Sequence, residues 1–281
     1  MAQRNHEPPN RPGEPRAMST TYETLEIAVH EPKIHVVTMN RPQALNAMNT
    51  QMMMELRDVF QGYYVDQDAA NCIILTGAGD RGFCAGGDLK ERDGMTDAVW
   101  KRQHALIEQM IRAMFVCPIP VIAAVNGVAM GGGFELALAS DFIYASKTAR
   151  FALPEVTRGI MPGAAGPQNQ PRAAGIRRAK EIALTGLPLS ADEALAWGIA
   201  NRVCEPGKLL DEALETARVI ASNAPIAVRQ VNKTLEKATE LDRHSGYAFE
   251  IEAYNLCVPT EDRLEGVRAF NEKRKPVFKG K

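Results

Sequence analysis

Nowhere does this 281-residue chain string together the ~18 apolar residues that a membrane-spanning helix needs, so no helical membrane span is expected. An excess of charge of one sign is missing too. Lysine and arginine number 33 against 34 aspartates and glutamates, and the formal net charge of −1 offers no basic footprint for nucleic acid or an anionic membrane. Cysteine is scarce. The five cysteines, at 72, 84, 117, 204 and 257, are odd in number and scattered, with no C-x-x-C pair. That pattern gives neither a disulfide framework nor a zinc site, and it suits a reducing cytoplasm. No Walker sequence, G-x-S-x-G or H-E-x-x-H occurs. One G-x-G-x-x-G string does, at Gly77, Gly79 and Gly82, but it continues into FCAGGD, where Gly86 and Gly87 would break the helix of a dinucleotide site.

What is present is the composition of a globular protein, with 45% hydrophobic and 24% charged residues, long enough for one large domain or one plus an appendage. Residues 1–18 hold four prolines and no apolar core, neither a secretory signal nor a good transit peptide, and read as a disordered tail in which Met18 could equally be the start. From Tyr22, LEIAV and KIHVVTM predict a hairpin across the turn HEPK. NRPQALNAMN reads as a loop. Met52, Met53, Leu56, Val59, Phe60 and Tyr63 recur with helical spacing, and so do Leu106, Ile107, Met110, Ile111, Met114 and Phe115. CIIL and VIAAV are short apolar strands between them, an alternation that predicts an α/β core. After about residue 205 the strand patterns stop, and a stripe from Leu209 to Ala221 opens a helical region.

The chemistry gathers around an oddity. Gly131, Gly132 and Gly133 stand directly before FELALA, although each glycine opposes helix by about 1 kcal/mol relative to alanine. Such a triplet either packs backbone tightly or bares the first amides of a helix, which have no internal partner and can meet a substrate oxyanion. A second glycine-rich turn, FCAGGDLKE, leads from the CIIL strand to a capping box of Asp88 and Glu91, and could present the Ala85 amide just before a helix. Two acids follow the triplet. Glu135 falls in the first turn of the helix and Glu155 follows RFALP, 20 positions on, so that a helix out and a strand back could bring both to the amide end.

The strings NGVAMGGGFELALASDFIYASKTARFALPE, RGFCAGGDLKE, NRPQALNAMN, LSADEALAWGIANRV and EGVRAFNEKRKPVFKGK resemble the enoyl-CoA hydratase/isomerase (crotonase) family from about Tyr22 to Lys281. The resemblance implies a spiral of β-β-α repeats over residues 19–205, with a helical C-terminal region over 206–281 that drives a homotrimer, often paired into a hexamer. It implies catalytic carboxylates at Glu135 (base towards water) and Glu155 (acid towards C2), oxyanion amides at Ala85 and Gly132, and an acyl-CoA site at Ala44, Ala85, Gly86, Gly87, Asp88, Leu89, Gly131 and Gly132. The implied reaction is reversible addition of water to a trans-2-enoyl-CoA, with no metal and no cofactor beyond the coenzyme A of the substrate, and without membrane or nucleic-acid partner. Alternatives within the family are double-bond isomerisation, thioester hydrolysis and a specialised dehydratase, since GGGFELALASDFI also resembles the carnitinyl-CoA dehydratase branch. Some members bind RNA; GIRRAK and NEKRK are more simply solvated faces or a place for CoA phosphates. One segment departs from the family pattern: PQNQPR, with Pro167, Asn169 and Gln170, is expected near the acyl end. Acyl selection is further expected to depend on residues 92–104 and on Met130, Phe134 and Trp197.

Overall fold

The computed structural model describes residues 21–281, so the tail expected over 1–18 lies outside the described residues. Strands β1 (Leu25–Glu31) and β2 (Ile34–Met39) form the expected antiparallel hairpin, turning at Lys33 with φ +75°. Helix α1 (Thr50–Val65) starts at Asn49, whose side chain accepts from the Met52 amide, and buries the six apolar residues singled out by their spacing.

Three rounds of strand, short strand and helix then follow. The first is β3 (Cys72–Gly77) and β4 (Gly82–Cys84), then α2 (Leu89–Arg92) and α3 (Asp97–Phe115). The second is β5 (Val121–Val125) and β6 (Val128–Met130), then α4 (Gly132–Leu138). The third is β7 (Phe142–Ser146) and β8 (Arg150–Ala152), then α5 (Gly166–Ala174) and α6 (Ile176–Thr185). Next come β9 (Leu189–Ser190), α7 (Ala191–Ala196) and β10 (Arg202–Cys204), and helices α8 (Leu209–Ala221), α9 (Pro225–Lys237), α10 (Arg243–Cys257) and α11 (Glu261–Asn271) complete the chain. The long strands build one sheet in the order β1-β2-β3-β5-β7-β10, and the short ones a second in the order β4-β6-β8-β9. This is the β-β-α spiral with a helical C-terminal region. Parallel neighbours in both sheets follow from it, because each round advances in the same direction.

The central strands of the larger sheet, β2, β3, β5 and β7, are buried on both faces, and their side chains alternate between two apolar clusters. Ile73 and Leu75 join the main core with α1 and α3, whereas Cys72 and Ile74 face Leu209, Ala213, Leu214 and Ala217 of α8. One expectation needs correction, and two elements are new. Phe115 is 38% exposed, because it is the last residue of α3 and lies past the packed stripe. Strands β4 and β6 were not anticipated, since three residues are too few to show a period.

The loop between β2 and α1, expected to be irregular, contains a single turn of 3-10 helix, Pro42–Ala44. Asn46 fixes it. Its Oδ1 accepts from the Arg41 amide at 2.9 Å, and its Nδ2 donates to the carbonyls of Ala78 at 3.0 Å and Gly82 at 2.7 Å. It is fully buried and left-handed, with φ +56°, a conformation asparagine tolerates better than most residues. Asn46→Ala should strand the Arg41 amide and the Ala78 carbonyl, leave Gly82 O only its 3.4 Å bond from Asn126, and lower stability by about 2–4 kcal/mol. Chemical denaturation of the two proteins side by side measures this, and an unchanged midpoint would refute it.

Candidate active site

The short strands and the turns after them converge on one cavity of about 1420 Å³, which all ten residues expected at the site help to line: Ala44, Ala85, Gly86, Gly87, Asp88, Leu89, Gly131, Gly132, Glu135 and Glu155. The glycine triplet answers to both readings, one residue at a time. At Gly131, with φ +54°, a Cβ would stand 2.7 Å from Glu155 Oε1, so its absence makes room for that carboxylate. At Gly133 a Cβ would run into the Cys84 carbonyl, so this glycine lets α4 abut β4. At Gly132 a Cβ would meet only Met48 Cε at 3.0 Å and would look towards Gly87 N at 3.9 Å. It faces the cavity, and its bare backbone keeps that space open.

The amides differ from expectation in one respect. Ala85 N donates to the Leu45 carbonyl at 3.0 Å and has no capacity left for a substrate. The pairing of the Pro42–Met48 loop with this segment then skips a residue: Met48 N donates to Gly86 O at 2.8 Å, and Asp88 N donates to Met48 O at 2.9 Å. Gly87 N is passed over and has no hydrogen-bond partner among the described residues, and neither has Gly132 N. The pair of unspent amides on the cavity is therefore Gly87 and Gly132, with Ala85 as the anchor of the loop.

Asp88 caps α2, its Oδ1 accepting from Lys90 N at 3.1 Å and Glu91 N at 3.4 Å, and its Oδ2 pairs with Arg41 Nη1 at 2.9 Å. The expected capping box is only half formed. Glu91 does not reach back to Asp88; its Oε2 accepts instead from Thr50 N at 2.8 Å and Gln103 Nε2 at 2.9 Å.

Glu135 is 2% exposed and Glu155 9%. Glu135 Oε1 accepts from the amides of Ala164 and Gly166, both at 2.8 Å, where the chain enters α5. The GIMPGAAG segment supplies these donors, a role with no side-chain signature in the sequence. Burial pushes the Glu135 carboxyl up to about 7, against the pull of those amides and with added repulsion from Glu155. Glu155 sits in the 3-10 turn Pro154–Arg158; burial raises its pKa as well, and its Oε2 has no partner among the described residues. Two buried carboxyls that both resist ionisation, facing one cavity, are suited to holding and passing on protons.

Of the residues expected to shape the acyl end, Met130 lines the cavity. Phe134 does not: it packs in the core against Phe151. Trp197 lies outside the lining, 5.4 Å from Arg178, and Pro167, Asn169 and the fully buried Gln170 are likewise absent from it. Within the span 92–104, Arg92, Trp100 and His104 line the cavity, as does Ile107 further along α3.

An α/β spiral whose cavity joins two unspent amides to two buried carboxyls is built for chemistry on a polarised carbonyl. The model of the enoyl-CoA hydratase/isomerase family matches residues 30–281, and the chain belongs to that family. It is similar to the short-chain-enoyl-CoA hydratase of Clostridium acetobutylicum, at 41% identity over 245 residues, 87% of this chain and 94% of that protein. It is also similar to the crotonyl-CoA hydratase of Syntrophomonas wolfei, at 38% identity over 257 residues, 92% of this chain and 98% of that one. The crystal structure of the Bacillus anthracis enoyl-CoA hydratase superposes with a TM-score of 0.90 at 39% identity, over 92% of this chain and 100% of that one.

The raised Glu135 carboxyl has a consequence for stability. Its folded value of about 7 lies above its ordinary 4.5, so the folded protein holds the proton more tightly than the unfolded chain. Above pH 7 the buried charge then costs up to about 3 kcal/mol, a penalty that fades as pH falls through 7 towards 4.5. Glu135→Gln keeps an oxygen for the two amides and carries no charge. Thermal melting should show the variant above the wild type at pH 8 and the gap closing by pH 5; a gap independent of pH would contradict the assignment.

Proposed function

We propose that the protein catalyses the reversible hydration of a trans-2-enoyl-CoA to a 3-hydroxyacyl-CoA. The carrying observation is the meeting of Glu135 and Glu155 with the unspent amides of Gly87 and Gly132 on one cavity. Glu135, oriented through Oε1, takes a proton from water through Oε2 while the hydroxide adds to C3. Electron density moves from the C2–C3 double bond to the thioester oxygen, where each preorganised amide contributes roughly 3 kcal/mol. Glu155 then delivers its proton to C2. Water has been added across the double bond, Glu135 ends protonated and Glu155 ionised, and one proton transfer resets the pair. Dehydration runs the same steps backwards.

This chemistry calls for no metal and no cofactor besides the coenzyme A carried by the substrate. Isomerisation is served by one carboxyl, which would leave a second acid, buried and positioned by two amides, without a task. The helices over 206–281 expose Leu235, Tyr247, Tyr254, Val267 and Phe270, and we assign this apolar surface to a homotrimer or a hexamer of paired trimers. No helix among the described residues is long and apolar enough to cross a membrane. We assign the protein to the cytoplasm, a reading that its four buried free thiols support.

Loss of the conjugated-thioester absorbance of crotonyl-CoA tests the reaction, with product identification. Glu135→Gln and Glu155→Gln should each lower kcat by about 10²–10⁴-fold with little change in CoA-ester affinity. A variant keeping more than about a tenth of wild-type turnover would strip that glutamate of its role. At Gly132 an added Cβ presses on the flexible end of Met48, so Gly132→Val should melt near the wild type yet lose about 10²–10³-fold or more in turnover. Near-normal turnover would remove the Gly132 amide from the mechanism.

A further inference from the structure

One wall of the cavity holds a cation that forms no ion pair with any acid among the described residues. Arg92 ends α2 and lines the cavity half-buried. Its Nε donates to Gln103 Oε1 at 2.8 Å, and its Cζ stands 4.5 Å over the Trp100 ring. Gln103 is buried and tied in turn to Thr50 Oγ1 and Glu91 Oε2, both at 2.9 Å. The guanidinium is thus gripped along one edge and one face, a geometry that preorganises its fork. Nη1 and Nη2 make no hydrogen bond or ion pair among the described residues. Glu91, the acid that acts on Arg92 electrostatically, spends Oε2 on Thr50 and Gln103.

The position of this fork matters. A Cβ at Gly87 would meet Arg92 Cζ, Nη1 and Nη2 at 3.0, 3.1 and 3.2 Å, so the guanidinium lies beside one of the two amides proposed for the thioester oxygen. His104 stands at the opposite end of the same wall. A Cβ at Gly163 would come within 2.7 Å of its ring, and the next residue, Ala164, holds Glu135. Trp100 and His104 are one turn apart on α3 and both face the cavity. An acyl chain that starts between Gly87 and Glu135 runs along this face, within reach of Arg92.

A wholly apolar chain would leave the guanidinium desolvated without a counter-charge, an unfavourable arrangement. A trimethylammonium head, as on a carnitine-type acyl group, would meet like charge. We infer that the acyl group ends in a carboxylate, received by Nη1 and Nη2 of Arg92, so that the substrate class is a short trans-2-enoyl-CoA with a distal carboxylate. This rests on the hydratase reading above. The reaction is unaltered: water's hydroxyl bonds to C3, a proton bonds to C2, the double bond is lost, and the distal carboxylate passes through unchanged.

Binding and turnover test the two readings separately. Glutaryl-CoA and pentanoyl-CoA are unreactive in hydration, share a five-carbon chain and differ in the terminal carboxylate. Calorimetry should find wild-type affinity for glutaryl-CoA about 10–100-fold tighter, the range for a hydrogen bond to a charged group. Arg92→Met should bring the ratio near one, and Arg92→Lys, which keeps the charge without the fork, should restore part of it. Equal affinities in the wild type overturn the inference, as does a ratio that survives in Arg92→Met. So does a parallel loss of both affinities, which would assign Arg92 to the CoA moiety or to the fold. Turnover of trans-pent-2-enedioyl-CoA and trans-2-pentenoyl-CoA reads the reaction itself. A wild type that hydrates neither, with its binding ratio intact, sinks the hydratase reading and leaves the carboxylate site standing.

Discussion

Two backbone amides, those of Gly87 and Gly132, must be kept unpaired at the edge of a packed interior, and the surrounding structure is arranged to permit it. A buried donor without a partner costs about 1–3 kcal/mol, so neighbouring groups would ordinarily close on it. They are prevented by being committed elsewhere. Leu45 O is taken by Ala85 N, Met48 O by Asp88 N, and Gly86 O by Met48 N. On the other side Gly131 N is bound to Ala152 O, while Gly133 presses on the Cys84 carbonyl. Asn46 holds the loop that makes the first set of bonds, which ties the amide geometry to a fully buried side chain on the far side of the turn.

The buried acids sort by the same reasoning. Glu55 is less exposed than Glu155, yet its pKa lies below its ordinary value. Burial opposes ionisation there, but Thr24, Gln51 and the amides of Glu23 and Thr24 all donate to it and prevail. Such a carboxylate is saturated and clamps β1 to α1. Glu135 has two amides on one oxygen, and Glu155 leaves Oε2 without a partner, so burial prevails in both. A carboxyl free to change its protonation is one whose donors have been withheld. In this protein the withheld donors coincide with the withheld amides, on one cavity.

Much of this was legible in the sequence because it is carried by side-chain type or by period. The helical spacing of Met52 to Tyr63, the hairpin, the apolar strands and the positions of Glu135 and Glu155 needed no coordinates. What could not be read is held by backbone or by packing direction. Ala164 and Gly166 act through their amides, and β4 and β6 are too short to show alternation. Phe134 was expected to shape the acyl end, but α4 turns it into the core, and Gln170 is fully buried away from the cavity. Arg92 lay in the span marked as selecting the acyl group, but an arginine after a capped turn is ordinarily a solvated one; only the positions of Gln103 and Trp100 make it a fixed fork.

The difference between Ala85 and Gly87 shows why an amide is harder to assign than a carboxylate. In an extended chain the N–H groups of residues two apart point the same way, so these two amides would face a common partner. Here Ala85 N and Asp88 N both turn to the Pro42–Met48 loop, three residues apart, while Gly87 N turns from it. The alternation breaks at Gly86, whose φ of +91° redirects the chain. A side chain at Gly86 would be strained at that angle and would also strike Met130 O at 2.7 Å. The turn of the backbone at Gly86 therefore does two things together: it aims the Gly87 amide at the cavity, and it admits the strand that delivers Gly132 to face it.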